Sequence, residues 1–196
     1  MTANKKSGET AIARRRKEQV LDAAGNCFRR EGFHRTSMAQ ISAAADMSSG
    51  HIYHFFKSKE DIVEATVARE RSELELLIEK IKTSMQQKDV ISAIVDATSE
   101  EATRYLDREN AALKMEILAE GARNPVVADL IEHYDNEVFQ EFYKVIGSNS
   151  SETISRCEIV SALMEGLSVR AVRNPRLGET LDREMVRKVI RTIMTF

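Results

Sequence analysis

The chain has 196 residues and a formal net charge of −2; 42% of its residues are hydrophobic and 31% are charged, which is typical of a folded globular protein and excludes a disordered one. Two prolines and eight glycines leave few turn signals, which argues against a strand-rich sandwich. Apolar runs reach only about five residues, far short of the ~20 that span a bilayer, and nothing resembles a secretory signal. Two cysteines far apart in the sequence fit a reducing compartment. We therefore expect a cytoplasmic protein with no membrane partner.

Charge is distributed unevenly along the chain. Residues 1–59 hold eleven basic and five acidic residues, a formal charge of +6, whereas the remainder holds 18 basic and 26 acidic residues, a charge of −8. This split predicts that only the N-terminal part meets a polyanion. On charge alone, a basic surface that is merely solvated is an equally good interpretation.

Helical spacing of apolar residues begins near residue 11, after a basic stretch that we expect to be a flexible arm at residues 1–10. The first helix is predicted to run to about residue 30. Two short helices follow, the first capped by Thr36 or Ser37 and the second by Ser48. In the turn between them, Asp46 is expected to adopt a left-handed backbone, which aspartate tolerates less well than glycine.

The rest of the chain is also predicted to be helical, without strand-like alternation of any length. Asn124 before Pro125 is a strong helix start signal, and Thr180 is expected to cap the last helix. The predicted fold class is all-α, with about nine helices. Beyond the two short helices, the predicted helices cover about residues 58–85, 89–107, 110–122, 125–146, 152–172 and a final segment after Thr180.

Two short helices joined by a tight turn in a basic segment form the helix-turn-helix pattern. The second helix of that motif inserts its N-terminal end into a major groove about 12 Å wide, so small residues belong there. Ser48, Ser49 and Gly50 supply them. Glycine inside a helix costs up to ~1 kcal/mol relative to alanine, so Gly50 indicates either close approach to DNA or a crevice where helices pack. Tyr53 and His54 offer polar groups to phosphates.

A longer string of residues carries a family resemblance. Its members are Val20-Leu21-x-Ala23-Ala24, Phe28, Gly32-Phe33, Thr36-Ser37, Ile41, Ala45, Ser48-x-Gly50-x-Ile52-Tyr53 and Phe56-Lys57-Ser58-Lys59-Glu60. With these residues, the segment from about residue 16 to 62 resembles the DNA-binding domain of the TetR family of bacterial transcriptional regulators. The sequence departs from the family at Asp46, where glycine is usual, and at Phe55, where His or Tyr is frequent and where a phosphate contact is therefore in doubt.

The resemblance implies two domains: an N-terminal three-helix DNA-binding domain at residues 11–57, and a C-terminal helical ligand-binding and dimerisation domain at residues 58–196. It implies a homodimer on double-stranded DNA with a palindromic operator, and a small-molecule effector of unknown identity. The implied DNA contacts are Thr36, Ser37, Ser48, Ser49, Gly50, His51, Tyr53, His54 and Lys59.

Candidate residues for the ligand pocket and for the dimer interface lie in the C-terminal part of the chain. Aromatic and soft side chains suit a small-molecule cavity, although such residues at helical spacing equally suit a core, and Glu116 fits either a cationic ligand or a solvent-facing salt bridge. The pocket candidates are Tyr105, Met115, Glu116, Tyr134, Phe142 and Met164. Two C-terminal apolar stripes fit either an intrachain core or the dimer interface that the resemblance implies, with Val160, Leu163, Leu167, Val186, Val189, Ile190 and Ile193 as candidates.

The sequence therefore predicts a ligand-responsive DNA-binding regulator, specifically a repressor released from its operator by an effector. The alternative is a helical protein–protein adaptor without sequence-specific DNA binding. No enzyme is predicted, because the chain carries no local nucleophile, metalloprotease or phosphate-loop signature. His51 and His54 have a spacing that suits a metal, but a third ligand is missing nearby, so neither a metal nor a cofactor is predicted.

Overall fold

The computed structural model describes residues 11–195, and the predicted basic arm at residues 1–10 lies outside them. The all-α prediction is confirmed, since the described part of the chain contains helices and no strand. The prediction of about nine helices missed one short helix, Leu177–Thr180. None of these helices is long and apolar enough to cross a membrane. The helices are α1 (Ala11–Glu31), α2 (Met38–Ala44), α3 (Ser49–Phe55), α4 (Lys59–Ser84), α5 (Val90–Leu106), α6 (Arg108–Gly121), α7 (Pro125–Ile146), α8 (Ser151–Arg173), α9 (Leu177–Thr180) and α10 (Arg183–Thr195).

Side-chain caps explain where most helices start. Asn124 accepts a hydrogen bond from the backbone N–H of Val126 at 3.1 Å, as the Asn-Pro signal predicts. The prediction that Thr180 caps the last helix is wrong, because Thr180 ends α9 and its hydroxyl donates to the Arg176 carbonyl. Asp182 instead accepts from the N–H of Glu184 at 2.9 Å at the start of α10.

The chain divides into two compact units, one ending at Thr66 and the other beginning at Val67, and α4 passes from the first to the second. In the N-terminal unit, α1, α2 and α3 bury a common core around Phe28, Ile41 and Ile52, none of which is exposed to solvent. Phe33 meets Phe28 edge-on with the ring centroids 4.4 Å apart.

The core of the C-terminal unit forms where α5, α8 and α10 meet. Three of the predicted interface residues, Val160, Val186 and Ile190, are buried in this intrachain core. Their assignment to a dimer interface is wrong, because α8 presents Val160, and α10 presents Val186 and Ile190, to the core of their own chain. Of the remaining candidates, Val189 is 38% exposed, whereas Leu163, Leu167 and Ile193 are partly buried against the core.

Candidate nucleic-acid interface and cavities

The turn between α2 and α3 has the predicted backbone. Asp46 has a φ of 50° and is the one non-glycine residue with positive φ in the described range 11–195. The next residue, Met47, is buried, and its N–H donates to the Ser42 carbonyl at 3.1 Å. The Ser42 hydroxyl in turn donates to the carbonyl of Met47. These contacts fix the angle at which α3 leaves the turn.

Further contacts hold α3 in place. The Ser48 hydroxyl caps it by accepting from the His51 N–H at 3.3 Å, and the Ile52 side chain is fully buried. From α1, the Gln19 amide donates to the carbonyl of Ala45 at 2.7 Å. Sequence reasoning missed Gln19, since a glutamine at a polar helix position gives no sign of a partner 26 residues away.

The outer side of α3 is a polar face that the three-helix core leaves open. A Cβ atom built on Gly50 would meet no atom of residues 11–195 within 4 Å, so the described part of the chain forms no packing crevice at this glycine, and the approach of an external partner remains. We call this surface the recognition face. It consists of the exposed residues Ser48, Ser49, Gly50, His51, Tyr53 and His54.

Phe55 is half-buried beside the recognition face. Its ring stacks on His51 with centroids 5.4 Å apart and meets His54 edge-on at 5.3 Å. Phe55 therefore orients the two imidazoles, which is a packing role. In residues 11–195 no group of three or more His, Cys, Asp or Glu side chains is arranged to hold a metal ion.

Three other predicted DNA contacts lie apart from the recognition face. Thr36 is only 2% exposed and its hydroxyl donates to the Gly32 carbonyl at 2.8 Å, so its assignment as a phosphate anchor is wrong. Ser37 is exposed and forms a capping box with Gln40 at the start of α2. The ammonium of Lys59 donates to the carbonyls of Phe33, at 2.7 Å, and His34, at 3.3 Å, an internal role that the sequence did not indicate.

The C-terminal unit contains an apolar cavity with about 570 Å³ of empty space, part of it open to solvent. Three predicted pocket residues, Tyr105, Phe142 and Met164, line it. Its polar groups include Glu101 and Thr98. The other lining residues are Leu74, Leu77, Ile94, Phe139, Ile146, Cys157, Val160, Ser161 and Met194.

A second cavity, with about 600 Å³ of empty space that includes open solvent at its mouth, is lined by several charged side chains. We call it the charged cavity. Leu74 and Tyr105 line both cavities, and the predicted Tyr134 lines the charged one. Met115 and Glu116 are half-buried on α6 but are not among the lining residues of either cavity. The charged lining residues are Glu70, Arg71, Arg104, Lys114, Asp135 and Glu165.

Cations of the chain cover two tyrosine rings of the charged cavity. The Arg71 guanidinium lies over the Tyr134 ring, 5.0 Å from its centroid, and the Lys114 ammonium lies 4.7 Å from the centroid of Tyr105. Lys114 also pairs with Glu165 at 3.4 Å. The sequence did not indicate the two cations, because Arg71 and Lys114 look like ordinary polar helix residues.

Comparison with known proteins agrees with a helix-turn-helix protein. Residues 20–66 match the family described as "Bacterial regulatory proteins, tetR family". The chain is 33% identical over 116 residues to the HTH-type transcriptional regulator UidR of Escherichia coli K12, a match that covers 59% of this chain and 56% of UidR. This match thus spans little more than half the length of that relative.

Two further relatives match over most of their length. The chain is 25% identical over 189 residues to the HTH-type transcriptional regulator BetI of an E. coli strain, covering 92% of each chain. The solved structure of Salmonella enterica GusR superposes with a TM-score of 0.70 at 26% identity, covering 95% of this chain and 96% of GusR. The predicted family is confirmed. Residues 20–66 carry the match to the TetR family of bacterial regulatory proteins, and the relatives that match a longer part of the chain are HTH-type transcriptional regulators.

Proposed function

We propose that this chain is a ligand-responsive transcriptional repressor whose N-terminal unit binds a palindromic operator and whose C-terminal unit binds a small-molecule effector. The observation that carries the proposal is the recognition face, which is polar, exposed and built on a rigid three-helix core. The relatives named as transcriptional regulators support the same activity, and none of them is named as an enzyme.

On DNA, the small residues Ser49 and Gly50 let the start of α3 come close to the base edges in the major groove. Tyr53 and His54 follow on the same exposed face and reach phosphates, which fixes the register of the protein on the duplex. Ser37 presents a hydroxyl at the N-terminus of α2, an end that favours negative charge. The basic excess of residues 1–59 supplies sequence-independent attraction.

A homodimer provides two recognition faces for one palindrome. Support comes from apolar side chains that the fold of a single chain leaves exposed on α8 and α10. Ile159 and Val169 are 54% and 41% exposed on α8, and Met185 and Val189 are 54% and 38% exposed on α10. Such a patch is typical of an interface between identical subunits, where the same surface serves both partners.

An effector releases the protein from its operator by shifting the protein between two conformations. A ligand that binds one conformation more tightly than the other shifts the population toward it, and the coupling to DNA affinity is reciprocal. α4 is a suitable element for this coupling, because it begins in the N-terminal unit and contributes Leu74 to both cavities of the C-terminal unit.

The proposal is tested by selecting duplexes from a random library with the full chain and measuring affinity by fluorescence anisotropy. We expect a palindromic consensus and an affinity that falls steeply with salt, because each phosphate that the protein neutralises releases about 0.9 counterions. A scrambled duplex of the same composition is the control. Equal affinity for both duplexes, or affinity independent of salt, supports the adaptor alternative instead.

A further inference from the structure

The two cavities of the C-terminal unit meet at shared side chains but differ in chemistry. Leu74 of α4 and Tyr105 of α5 line both of them. The apolar cavity is surrounded mostly by aliphatic and aromatic groups, whereas six charged side chains line the charged cavity. A ligand that fills both must therefore combine an apolar part with a polar or charged part.

The tyrosine rings of the charged cavity disfavour a cationic ligand. An organic ammonium ion is usually recognised through the faces of aromatic rings. Here the chain's own cations lie over these rings, Arg71 on Tyr134 and Lys114 on Tyr105. A cationic ligand must displace both of them to reach the ring faces, whereas a ligand anion can contact the two cations where they are, in competition with the carboxylates that already pair with them.

Arg71 has a donor that the protein does not use. Its Nη2 contacts the carboxylates of Glu75 and Glu137, at 2.8 Å and 3.2 Å. Its Nε atom is buried and has no hydrogen-bond partner among residues 11–195. A buried donor without an acceptor destabilises the folded protein, so an acceptor atom of a ligand removes a penalty that the free protein carries.

Two of the three acids in the charged cavity are already paired. Glu70 contacts Arg104 at 2.7 Å, and Glu165 contacts Lys114 at 3.4 Å. The third acid, Asp135, is an exposed residue, but burial of its carboxyl group and, less strongly, the nearby Glu165 raise its pKa, which favours the neutral form and weakens its repulsion of a ligand anion. The contact of Lys114 is the longer of these two pairs, so Lys114 can admit a second carboxylate.

We propose that the effector is an amphipathic anion whose carboxylate binds Arg71 and Lys114 in the charged cavity while its apolar part enters the apolar cavity. This inference rests on the proposed function, namely that the C-terminal unit binds a small molecule. The carboxylate accepts from Arg71 Nε and pairs with the Lys114 ammonium, and the ligand bends around Leu74 and Tyr105, the side chains that line both cavities.

The test compares three probes with the same alkyl chain and different head groups: octanoate, octan-1-ol and octyltrimethylammonium. Binding to the full chain is measured by isothermal titration calorimetry in the absence of DNA. We expect octanoate to bind about tenfold more tightly than octan-1-ol, because only octanoate forms hydrogen bonds in which donor and acceptor are both charged. Octyltrimethylammonium is expected to bind most weakly.

Two variants locate the head group. Lys114→Gln and Arg71→Lys are expected to remove the preference for octanoate and leave the affinity for octan-1-ol unchanged. Lys114→Gln also uncovers the Tyr105 ring, so it should raise the affinity for octyltrimethylammonium, a change that loss of stability alone does not produce. Lys144→Gln is the matched control, because Lys144 is exposed, pairs with Glu141 and lines neither cavity.

The inference is overturned if octanoate does not bind, if the three probes bind equally, or if the wild-type chain prefers the ammonium probe. Operator binding, measured on the same samples without any probe, separates this failure from a failure of the proposed function. Salt-dependent binding to the selected palindrome together with no octanoate binding leaves the regulator intact and rejects only the ligand class. Circular dichroism of each variant verifies that it is folded.

Discussion

At the scale of single residues, Asp46 and Gly50 of the helix-turn-helix differ in their roles: the conformation of Asp46 serves the fold, whereas the missing side chain of Gly50 does not. Asp46 takes a left-handed backbone in the turn, with φ at 50°, so its conformation belongs to the fold. Gly50 sits in helical backbone with open space where a side chain would stand. The fold gains nothing from the missing side chain, and helix propensity loses by it. The open space at Gly50 therefore supports the proposal that DNA approaches α3 closely at this position.

The first prediction concerns Gly50. Gly50→Glu should abolish operator binding, through bulk and through repulsion between the carboxylate and phosphates, while the Tm changes little because the site is exposed. Gly50→Ala is the matched control for helix propensity and should raise stability by up to about 1 kcal/mol. Anisotropy titrations and thermal unfolding measure the two effects. A large fall in Tm with operator binding retained would show that Gly50 is a packing residue after all.

At the scale of elements, the short helices are held by contacts that reach across the sequence. Lys59 at the start of α4 donates to the carbonyls of Phe33 and His34, in the connection between α1 and α2. The resemblance predicted that this lysine contacts the DNA backbone. Its ammonium instead satisfies two carbonyls of the chain, which ties the entry of α4 to the preceding loop.

The second prediction separates these two roles of Lys59. Lys59→Gln should destabilise the N-terminal unit by about 1 kcal/mol, the usual contribution of such hydrogen bonds, and should leave the salt dependence of operator binding unchanged. Lys57→Gln is the matched variant, because Lys57 is exposed, and loss of a phosphate contact there should reduce the salt slope by about 1. A reduced slope in Lys59→Gln, with normal stability, restores the predicted phosphate contact.

The packing of α10 on α5 carries the third prediction. Asp96 of α5 accepts from Lys88 Nζ at 2.6 Å and from Arg187 Nη2 at 2.7 Å. These hydrogen bonds, that of Lys88 first, hold the pKa of Asp96 below its ordinary value. The ionised form thus stabilises the folded state, fully so above the unfolded pKa of about 4, and this contribution disappears as the pH falls through the lower folded-state pKa.

Asp96→Asn should therefore lower the Tm by about 2–4 °C at neutral pH. The gap between the wild type and the variant should narrow in acid, below the unfolded pKa of about 4. Thermal unfolding followed by circular dichroism at a series of pH values measures this gap. Asp129→Asn, at an exposed position on α7, is the control and should show no such gap. If the Tm difference between wild type and Asp96→Asn stays constant as the pH falls below about 4, the charge of Asp96 does not stabilise its contacts with Lys88 and Arg187.

Some of these features could be predicted from the sequence and others could not, for physical reasons. Asp46 and the caps at Ser37, Ser48 and Asn124 were predictable because turn and cap chemistry is local. Thr36 was not, because a threonine beside a helix start looks the same whether its hydroxyl meets a phosphate or, as here, a carbonyl four residues back.

At the scale of the whole molecule, helix α10 also shows what sequence alone cannot predict. Its apolar residues recur at helical spacing, but that periodicity does not show which of them face the chain's own core and which stay exposed. Val186 and Ile190 turned out to face the core of their own chain, while Met185 and Val189 remain exposed. The distinction depends on how α10 lies against α5 and α8, which is a tertiary property.

This distinction also changes how dimerisation must be tested. Removing α10 takes Val186, Ile190 and Met194 out of the core of the C-terminal unit, so a truncated chain is expected to unfold before its assembly can be measured. Single changes on the exposed stripes leave that core intact. Ile159 on α8 is the best position, because it is 54% exposed and lies three residues before Ala162 and seven before Gly166, two exposed small residues on the same side of the helix.

The fourth prediction is that Ile159→Glu converts a dimer into a folded monomer. Two-fold symmetry places the new charge on both sides of the interface, so each dimer must bury two carboxylates without partners. Light scattering at micromolar concentration should show half the wild-type mass with an unchanged Tm. Val126→Glu is the control, because Val126 is 62% exposed and lies at the start of α7, on neither of the two helices that carry the exposed interface residues. It should remain dimeric.

Operator binding should respond more strongly than the loss of a few apolar contacts suggests. A dimer makes the second half-site contact intramolecular, at an effective concentration in the millimolar range for a short connection, whereas a monomer must recruit each half-site from solution. Ile159→Glu is therefore expected to lose at least about a hundredfold in affinity for the full palindrome and almost none for a single half-site. If the wild-type chain is itself monomeric at micromolar concentration and still binds the palindrome cooperatively, the subunits meet only on DNA and the exposed stripes of α8 and α10 do not form a stable interface in solution.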